Sequence, residues 1–126
     1  MVTALMVKPG EHPCPIQICD DRNYLNRAVS ADMDIVCSSA AMSLTDGIAI
    51  VYNEDAFMMG VANRRVKERI LSGVFYVVGH SEGRLVSLTD AQIAHYMARF
   101  WETEIYTDEE VVDAWVNGLC AAMKMT

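Results

Sequence analysis

The sequence predicts an α+β fold: a mostly antiparallel sheet of four to six strands, with a short helix after strand two and a C-terminal αα-hairpin packed on the sheet. Two runs, residues 48–52 and 73–79, are apolar at consecutive positions, as interior strands covered on both faces must be. The C-terminal third instead places apolar side chains at helical spacing. With 126 residues, 52% of them hydrophobic, the chain has the apolar content for one core, so we expect a single domain, residues 1–126.

The first part of the chain predicts a β-hairpin followed by a short helix. Val2–Val7 is β-branched at its start and is stopped by the Lys-Pro-Gly turn at residues 8–10, which makes it the first strand. Residues 16–19 alternate apolar and polar side chains and predict the second strand. Asp20 or Asp21 would then cap the helix, because a carboxylate there accepts a hydrogen bond from a free amide of the first turn.

The middle of the chain predicts strands separated by turns. Residues 33–37 predict a third strand, and residues 38–46, which lack a periodic apolar pattern, predict a loop. The two interior strands follow, with residues 57–59 between them as a candidate return strand of a hairpin. Residues 79–83 predict a loop that joins the last strand to the helices.

The C-terminal part predicts two amphipathic helices, each begun by a capping box. Thr89 with Gln92, and Thr107 with Glu110, have the spacing in which a hydroxyl and a side chain three residues later satisfy each other's backbone amides. We expect both apolar stripes, including their tryptophans, to be buried. The stripes comprise Ile93, Tyr96, Met97, Phe100 and Trp101 in the first helix and Val112, Trp115, Val116, Leu119 and Met123 in the second.

The net charge of −7 is concentrated near the C terminus, with −2 over residues 1–88 and −5 over residues 89–126. This imbalance argues against direct nucleic-acid binding and favours solubility or a basic protein partner. No run approaches the roughly 18 apolar residues of a membrane span, and residues 1–6 lack a signal-peptide pattern, so we expect a cytoplasmic protein without membrane contact. The four cysteines lack zinc-knuckle spacing, which predicts reduced thiols, no metal site and no other cofactor.

The sequence favours a protein that is not an enzyme. His12, His80 and His95 lie far apart, and none belongs to a zinc-binding pair. The chain also has no Gly-x-Ser-x-Gly elbow, no phosphate loop and no dinucleotide-binding glycine pattern. We therefore predict no catalytic residues.

A specific polar group, Asn53, Glu54, Asn63 and Arg64, lies between the two interior strands with Gly60 in its middle. In one interpretation these residues shape turns, because Asn and Gly tolerate left-handed backbone conformations, and Glu54 pairs with Arg64 across a hairpin. In the other, the four polar side chains bind a small anionic ligand such as a nucleotide, with Arg64 on the phosphate. The basic run that begins at Arg64 is typical of a solvated face.

Four segments and the early Lys-Pro-Gly turn carry a resemblance to a known family. The segments are Asn-Glu at residues 53–54, Gly-Val-Ala-Asn-Arg at 60–64, Leu-Ser-Gly-Val-Phe-Tyr-Val-Val-Gly at 71–79 and Val-Ser-Leu-Thr at 86–89. In these the chain resembles the domain of unknown function 3846 family over about residues 2–101.

The resemblance implies a small protein of phages, plasmids or other mobile elements of bacteria, and it implies no activity. Family members usually have a glycine pair after the first helix, whereas this chain has Ser30 and Ala31 there. Residues 102–126 lie outside the resemblance and would form an additional acidic C-terminal helix.

Together these features favour a non-catalytic protein-interaction module of a phage or mobile genetic element, for example an inhibitor of a host defence nuclease of the anti-CRISPR or anti-restriction type. The predicted interaction face comprises Glu102, Glu104, Asp108, Glu109, Glu110 and Asp113. If residues 102–113 were all helical, their charges would lie about 3 Å apart, but over too short a length to mimic DNA. The expected partner is therefore a protein with a basic patch. The alternative is a nucleotide-binding sensor or sponge that uses the central Asn, Glu and Arg residues.

Overall fold

The structure, a computed structural model, describes residues 1–56 and 60–124, with residues 118–124 described as backbone only. In chain order its elements are β1 (Val2–Val7), β2 (Cys14–Ile18), α1 (Arg22–Ala28), β3 (Ser39–Thr45), β4 (Ile48–Asn53), β5 (Ala62–Val66), β6 (Arg69–Ser72), β7 (Phe75–Ser81), β8 (Arg84–Val86), α2 (Asp90–Arg99) and α3 (Asp108–Lys124). The candidate return strand at residues 57–59 and the side chains of Leu119 and Met123 lie outside the described part.

A six-stranded antiparallel sheet forms the larger part of the fold. Its strand order is β2-β1-β7-β4-β3, and β8 pairs with the C-terminal half of β7. The two strands predicted as interior, β4 and β7, lie side by side, and β1 and β2 form the predicted hairpin. The predicted α+β class, with its mostly antiparallel sheet and a short helix after strand two, is confirmed.

Both faces of this sheet are covered, which explains the apolar runs. Ile50 and Val77 point to one face, where they pack with α2 and with the β5–β6 hairpin. Val51 and Val78 point to the other face and pack with α1. Because successive side chains of a strand alternate between faces, a strand between two cores must be apolar at every position.

The β5–β6 hairpin forms a second, two-stranded sheet that lies between the large sheet and α3. Val66 and Leu71 face the core of the large sheet, whereas Ile70 packs against Val111 and Ala114 of α3. The helices predicted as an αα-hairpin on the sheet therefore both pack on β-structure, α2 against β1 and α3 against β6.

The third strand lies later in the chain than the sequence predicts. Residues 33–35 form bends and residues 36–37 have no regular structure, with Ile35 and Val36 exposed, and the predicted loop at residues 38–46 contains β3. β3 is an edge strand whose exposed positions alternate with half-buried ones, and its outer residues are alanine, serine and threonine. An edge strand buries only part of one face, so its apolar signal is weak.

The helix caps are those predicted from the sequence, but the predicted burial of the two tryptophans is wrong. Asp21 caps α1, Thr89 and Gln92 form the capping box of α2, and Thr107 accepts a hydrogen bond from the Glu110 amide at the start of α3. Trp101 and Trp115, predicted to be buried, are 43% and 39% exposed. Trp101 follows the C-cap residue of α2, so it no longer continues the helical stripe.

The predicted loop at residues 79–83 is instead a tight β-turn within a hairpin. β7 continues to Ser81, pairs there with Arg84, and leaves only Glu82 and Gly83 as the loop. Both have positive φ angles, 52° and 75°, as in the type I′ turns that suit the twist of antiparallel strands. Glu82 is therefore held in a conformation that glutamate rarely adopts.

Replacing Glu82 with asparagine should stabilise the protein, because asparagine adopts the left-handed conformation at lower cost. We expect the free energy of unfolding, measured by urea denaturation with circular dichroism, to rise by about 0.5 kcal/mol. Gly83→Ala is the matched control and should lower it by about 1 kcal/mol, because alanine is strained at positive φ. A loss of stability in Glu82→Asn would contradict this account of the turn.

Candidate functional site

Arg64 is completely buried and uses its whole guanidinium group in hydrogen bonds. Nε and Nη2 donate to the carbonyl oxygen of Phe100 at 3.2 and 2.9 Å, and Nη2 also donates to that of Glu11 at 2.6 Å. Nη1 donates to the Lys8 carbonyl oxygen at 3.2 Å and to Asn63 Oδ1 at 2.7 Å. A guanidinium has five N–H groups, and here all five have acceptors.

These hydrogen bonds join three parts of the chain that no strand pairing connects: β5, the turn between β1 and β2, and the end of α2. Burial lowers the pKa of the Arg64 guanidinium, and the nearby Glu104 carboxylate opposes that shift. Arginine nevertheless remains charged in proteins, so a buried cation is stabilised here by carbonyl dipoles. Arg64 therefore acts as a structural junction.

Asn63 extends this junction to the large sheet. Its Nδ2 donates to the carbonyl oxygens of Val7, at 2.9 Å, and Gly73, at 2.8 Å. Its Oδ1 accepts the hydrogen bond from Arg64. The Asn63 side chain is fully buried and both of its polar atoms have partners, so it fixes the ends of β1 and β7 relative to β5.

Asn53 has a comparable role on the other side of the sheet. Its Nδ2 lies 3.3 Å from the Val29 carbonyl oxygen and 3.2 Å from Met33 Sδ, and donates to both. Its Oδ1 accepts from the Asp55 amide at 2.9 Å, which closes the turn after β4. Asn53 thus holds the segment that follows α1 against the end of β4.

The structure corrects the turn-shaping interpretation of the central residues and gives the anion-binding one little support. Asn53 and Asn63 lie in β4 and β5, and neither they nor Gly60 has the left-handed backbone conformation that was expected. The predicted pair of Glu54 with Arg64 does not form. Asn63 and Arg64 are in contact, but Glu54 is exposed, and the five Arg64 donors are used on other residues. The cleft beside Asn53 and Glu54 measures only about 10 Å³, whereas small-molecule sites usually measure about 300–1,000 Å³. The basic run is not a uniform solvated face either, because Arg64 is buried while its neighbour Arg65 is exposed.

The segment between α2 and α3, residues 100–107, is held to the rest of the protein at its start by an aromatic stack. The rings of His12 and Trp101 lie parallel, with centroids 3.9 Å apart and planes 7° apart. Nδ1 of His12 donates to the Trp101 carbonyl oxygen at 2.7 Å. His12 lies in the turn that Arg64 also binds, so the two contacts reinforce each other.

The middle of this segment is held by Glu104. Its Oε1 accepts hydrogen bonds from the Arg65 amide, at 3.1 Å, and from the Tyr106 hydroxyl. The Arg65 guanidinium lies 5.7 Å from the centre of the Tyr106 ring. Burial and the neighbouring Glu104 carboxylate both raise the pKa of Tyr106. Glu104 therefore covers a free amide at the edge of β5, which an edge strand would otherwise expose.

The six carboxylates predicted as an interaction face divide into two groups. Glu104 and Glu110 have internal partners, the latter accepting from the Thr107 amide and hydroxyl at 3.3 and 3.1 Å. The other four are exposed, and none has a hydrogen bond in the part of the chain that the structure describes: Glu102, Asp108, Glu109 and Asp113. Since α3 begins at Asp108, residues 102–107 are not helical, and the uniform charge spacing that we considered from the sequence is absent.

Ile105, which sequence reasoning did not single out, is 96% exposed in the middle of this acidic segment. The sequence signal was its position: an aliphatic residue in a charged stretch between two helices, outside either apolar stripe. Trp101, four residues earlier, is the second large apolar side chain exposed in this segment. Acidic and apolar surface therefore occur together here.

Within the described residues, no group of three His, Cys, Asp or Glu side chains is placed to hold a metal ion. Nor is any described helix both long enough and apolar enough to cross a membrane.

Arg64→Ala should be strongly destabilising, because it leaves buried carbonyl oxygens without donors and creates a cavity. We expect the free energy of unfolding in urea to fall by about 3 kcal/mol or more, with Arg64→Lys intermediate because an ammonium cannot reproduce the planar fork. The adjacent Arg65→Ala is the matched control and should cost at most about 1 kcal/mol. Equal losses at the two positions would contradict the role given to Arg64.

A family model described as a domain of unknown function (DUF3846) matches residues 2–101. No curated protein and no solved structure matches the chain. The matched region includes Arg64 and every residue to which it donates. It ends one residue before Glu102, the first of the six carboxylates predicted as an interaction face. The chain therefore belongs to the DUF3846 family.

Proposed function

We propose that this protein is a non-catalytic interaction module that binds a protein partner through the docking segment, defined here as residues 101–113. The observation that carries the proposal is Ile105, an aliphatic side chain that is 96% exposed among free carboxylates. Burying an isoleucine side chain against a partner contributes about 2 kcal/mol, which is more than tenfold in affinity. Trp101, at 43% exposed, adds aromatic surface of the kind enriched at binding hot spots.

The docking segment is also held in place before any partner binds. Trp101 stacks on His12, Glu104 accepts from the Arg65 amide, and Thr107 bonds to Glu110. Association costs conformational entropy when flexible segments become ordered, and a segment that is already fixed reduces that cost. Ile105 is thus displayed on a rigid support.

The charge of the segment supports a partner with a basic patch. Glu102, Asp108, Glu109 and Asp113 are exposed and have no internal hydrogen bonds among the described residues. Carboxylates placed this way attract a basic surface over roughly 8–10 Å at physiological ionic strength. They would mainly accelerate association, while Ile105 and Trp101 would supply most of the affinity.

The partner class that best fits this surface is a nuclease of a bacterial defence system, such as a CRISPR effector or a restriction enzyme. Nucleases bind nucleic-acid backbones with lysine and arginine, so they carry basic surfaces that an acidic segment complements. This part of the proposal also rests on a setting in phages or other mobile elements, with action in the bacterial cytoplasm. The nucleotide-binding alternative has less support, since the Arg64 donors are all used internally.

The first test is inhibition of purified CRISPR effectors and restriction enzymes by the wild-type protein, measured as cleavage of a plasmid substrate. For any enzyme that is inhibited, Ile105→Ser should weaken inhibition about tenfold or more. Ile35→Ser, which changes an exposed isoleucine 70 residues away in sequence, should leave inhibition unchanged. Absence of inhibition across the panel would refute the nuclease assignment, and equal effects of the two variants would refute the docking segment.

A second test measures whether the exposed carboxylates act mainly on the rate of association with the partner. Replacing Glu102 and Glu109 with lysine should slow association several-fold at low salt and have little effect at about 1 M salt, where screening acts within about 3 Å. Glu110 should be kept, because it caps α3 and its loss would also destabilise the helix. The measurement is surface plasmon resonance over a salt series with an inhibited nuclease. Association that responds neither to these reversals nor to salt would show that the carboxylates are only solvated.

A further inference from the structure

A concave surface that shares no residue with the docking segment lies between the turn after β1 and the segment after α1. It is an open cleft of about 400 Å³. Lys8 and Glu11 line one wall, Asp32 and Met33 line another, and Val61 and Val74 supply apolar surface. Its volume lies within the roughly 300–1,000 Å³ typical of small-molecule sites, but other surface clefts of about 320, 350 and 410 Å³ do as well, so the lining and not the size distinguishes it.

The central polar side chains, for which ligand binding was one of the two interpretations from the sequence, hold the walls of this cleft. Arg64 donates to the carbonyl oxygens of both Lys8 and Glu11. Asn53 donates to Met33 Sδ, and to the Val29 carbonyl oxygen just before that wall.

Asn63 binds the backbone at two positions next to the cleft. It donates to the carbonyl oxygens of Val7 and Gly73, the residues that directly precede the lining residues Lys8 and Val74. Three buried polar residues from one stretch of sequence are therefore bound to the segments that surround a single cleft. Apolar side chains could fill these buried positions but could not form such directional hydrogen bonds. The hydrogen bonds therefore fix the walls of the cleft at defined positions relative to one another.

The Asp32 carboxylate lies close to Gly73, the residue that precedes the lining residue Val74. The φ angle of Gly73 is +74°, and a Cβ atom at this position would lie 3.7 Å from both carboxylate oxygens of Asp32, which is an ordinary van der Waals distance. The positive φ angle, and not a shortage of space, therefore favours glycine here.

The chemistry of the lining favours a cation with an apolar body. Glu11 and Asp32 bring carboxylates from two different walls, and neither accepts a hydrogen bond within the described residues. Lys8 is the only basic side chain among the lining residues of the described chain. Met33, Val61 and Val74 offer apolar contacts, with Val74 buried and Val61 69% exposed at the rim.

We propose that this cleft binds a small organic cation, an ammonium group attached to an apolar body. The ammonium would be bound by the carboxylates of Glu11 and Asp32, and the apolar body would pack on Met33, Val61 and Val74. Among the described lining residues two carboxylates, Glu11 and Asp32, outnumber the one lysine, Lys8, and this local balance favours a cation over an anion. This inference is independent of the docking segment, because none of the described lining residues belongs to residues 101–113. All of them lie within residues 2–101, the part matched by the family model.

The test is an NMR titration of the ¹⁵N-labelled protein with phenethylamine, which has the proposed chemistry. We expect saturable shifts of the amide signals of Asp32, Met33, Val61 and Val74, with a dissociation constant on the order of 1 mM for so small a probe. 3-Phenylpropionate, which has a similar shape but the opposite charge, should cause at most weak and unsaturated shifts.

Two exposed carboxylates make the test specific to the cleft. Glu11→Gln and Asp32→Asn should each weaken phenethylamine binding several-fold without changing the melting temperature of the free protein, because both side chains are exposed. Asp34→Asn, which removes an exposed carboxylate outside the cleft, should have no effect. Equal or tighter binding of 3-phenylpropionate, shifts that map elsewhere, or an unchanged affinity in both cleft variants would each overturn the proposal, as would the absence of saturable binding.

Discussion

A buried guanidinium with all five donors satisfied is the interaction on which the rest of this structure depends. Taking a charge out of water is costly unless its hydrogen bonds are replaced. Arg64 replaces them with four hydrogen bonds to three backbone carbonyl oxygens and one to the amide oxygen of Asn63. Two of its bonds go to Phe100, the C-cap residue of α2. Carbonyl groups at a helix C terminus lack intrahelical partners and carry partial negative charge, so a cation is favoured there.

The position of this junction determines how the remaining elements are arranged. Because the end of α2 is held against β5, the chain that follows must cross the edge of the small sheet before α3 can begin, and Glu104 meets the Arg65 amide on the way. α3 therefore packs on the outer face of β6, where Ile70 is available, and not beside α2. Asn63 joins the same junction to the ends of β1 and β7. The hydrogen bonds of Asn63 and Arg64 therefore fix the positions of the two sheets and of the C-terminal helices relative to one another.

Much of the fold could be predicted from the sequence, because its signals are local. The apolar runs of β4 and β7 and the capping residues of α2 follow from strand alternation and helix-end hydrogen bonding. β3 could not be predicted, since an edge strand needs little apolar surface. Burial of Arg64 and exposure of Arg65 follow from their opposite faces on β5, but only once the strand and both of its packing partners are known. The exposed Trp101 depends likewise on where α2 ends.

The cleft and the docking segment meet at this junction, since Arg64 Nη2 bonds to both Glu11 and Phe100. Proximity alone does not make two surfaces communicate, because coupling requires an element with two discrete arrangements that both sites bias. A guanidinium with every donor in use has no second set of acceptors to exchange with among the contacts described. The junction thus has the properties of a rigid spacer. A ligand in the cleft would then leave Ile105 where it is, and the two surfaces would serve separate binding events on one fixed framework.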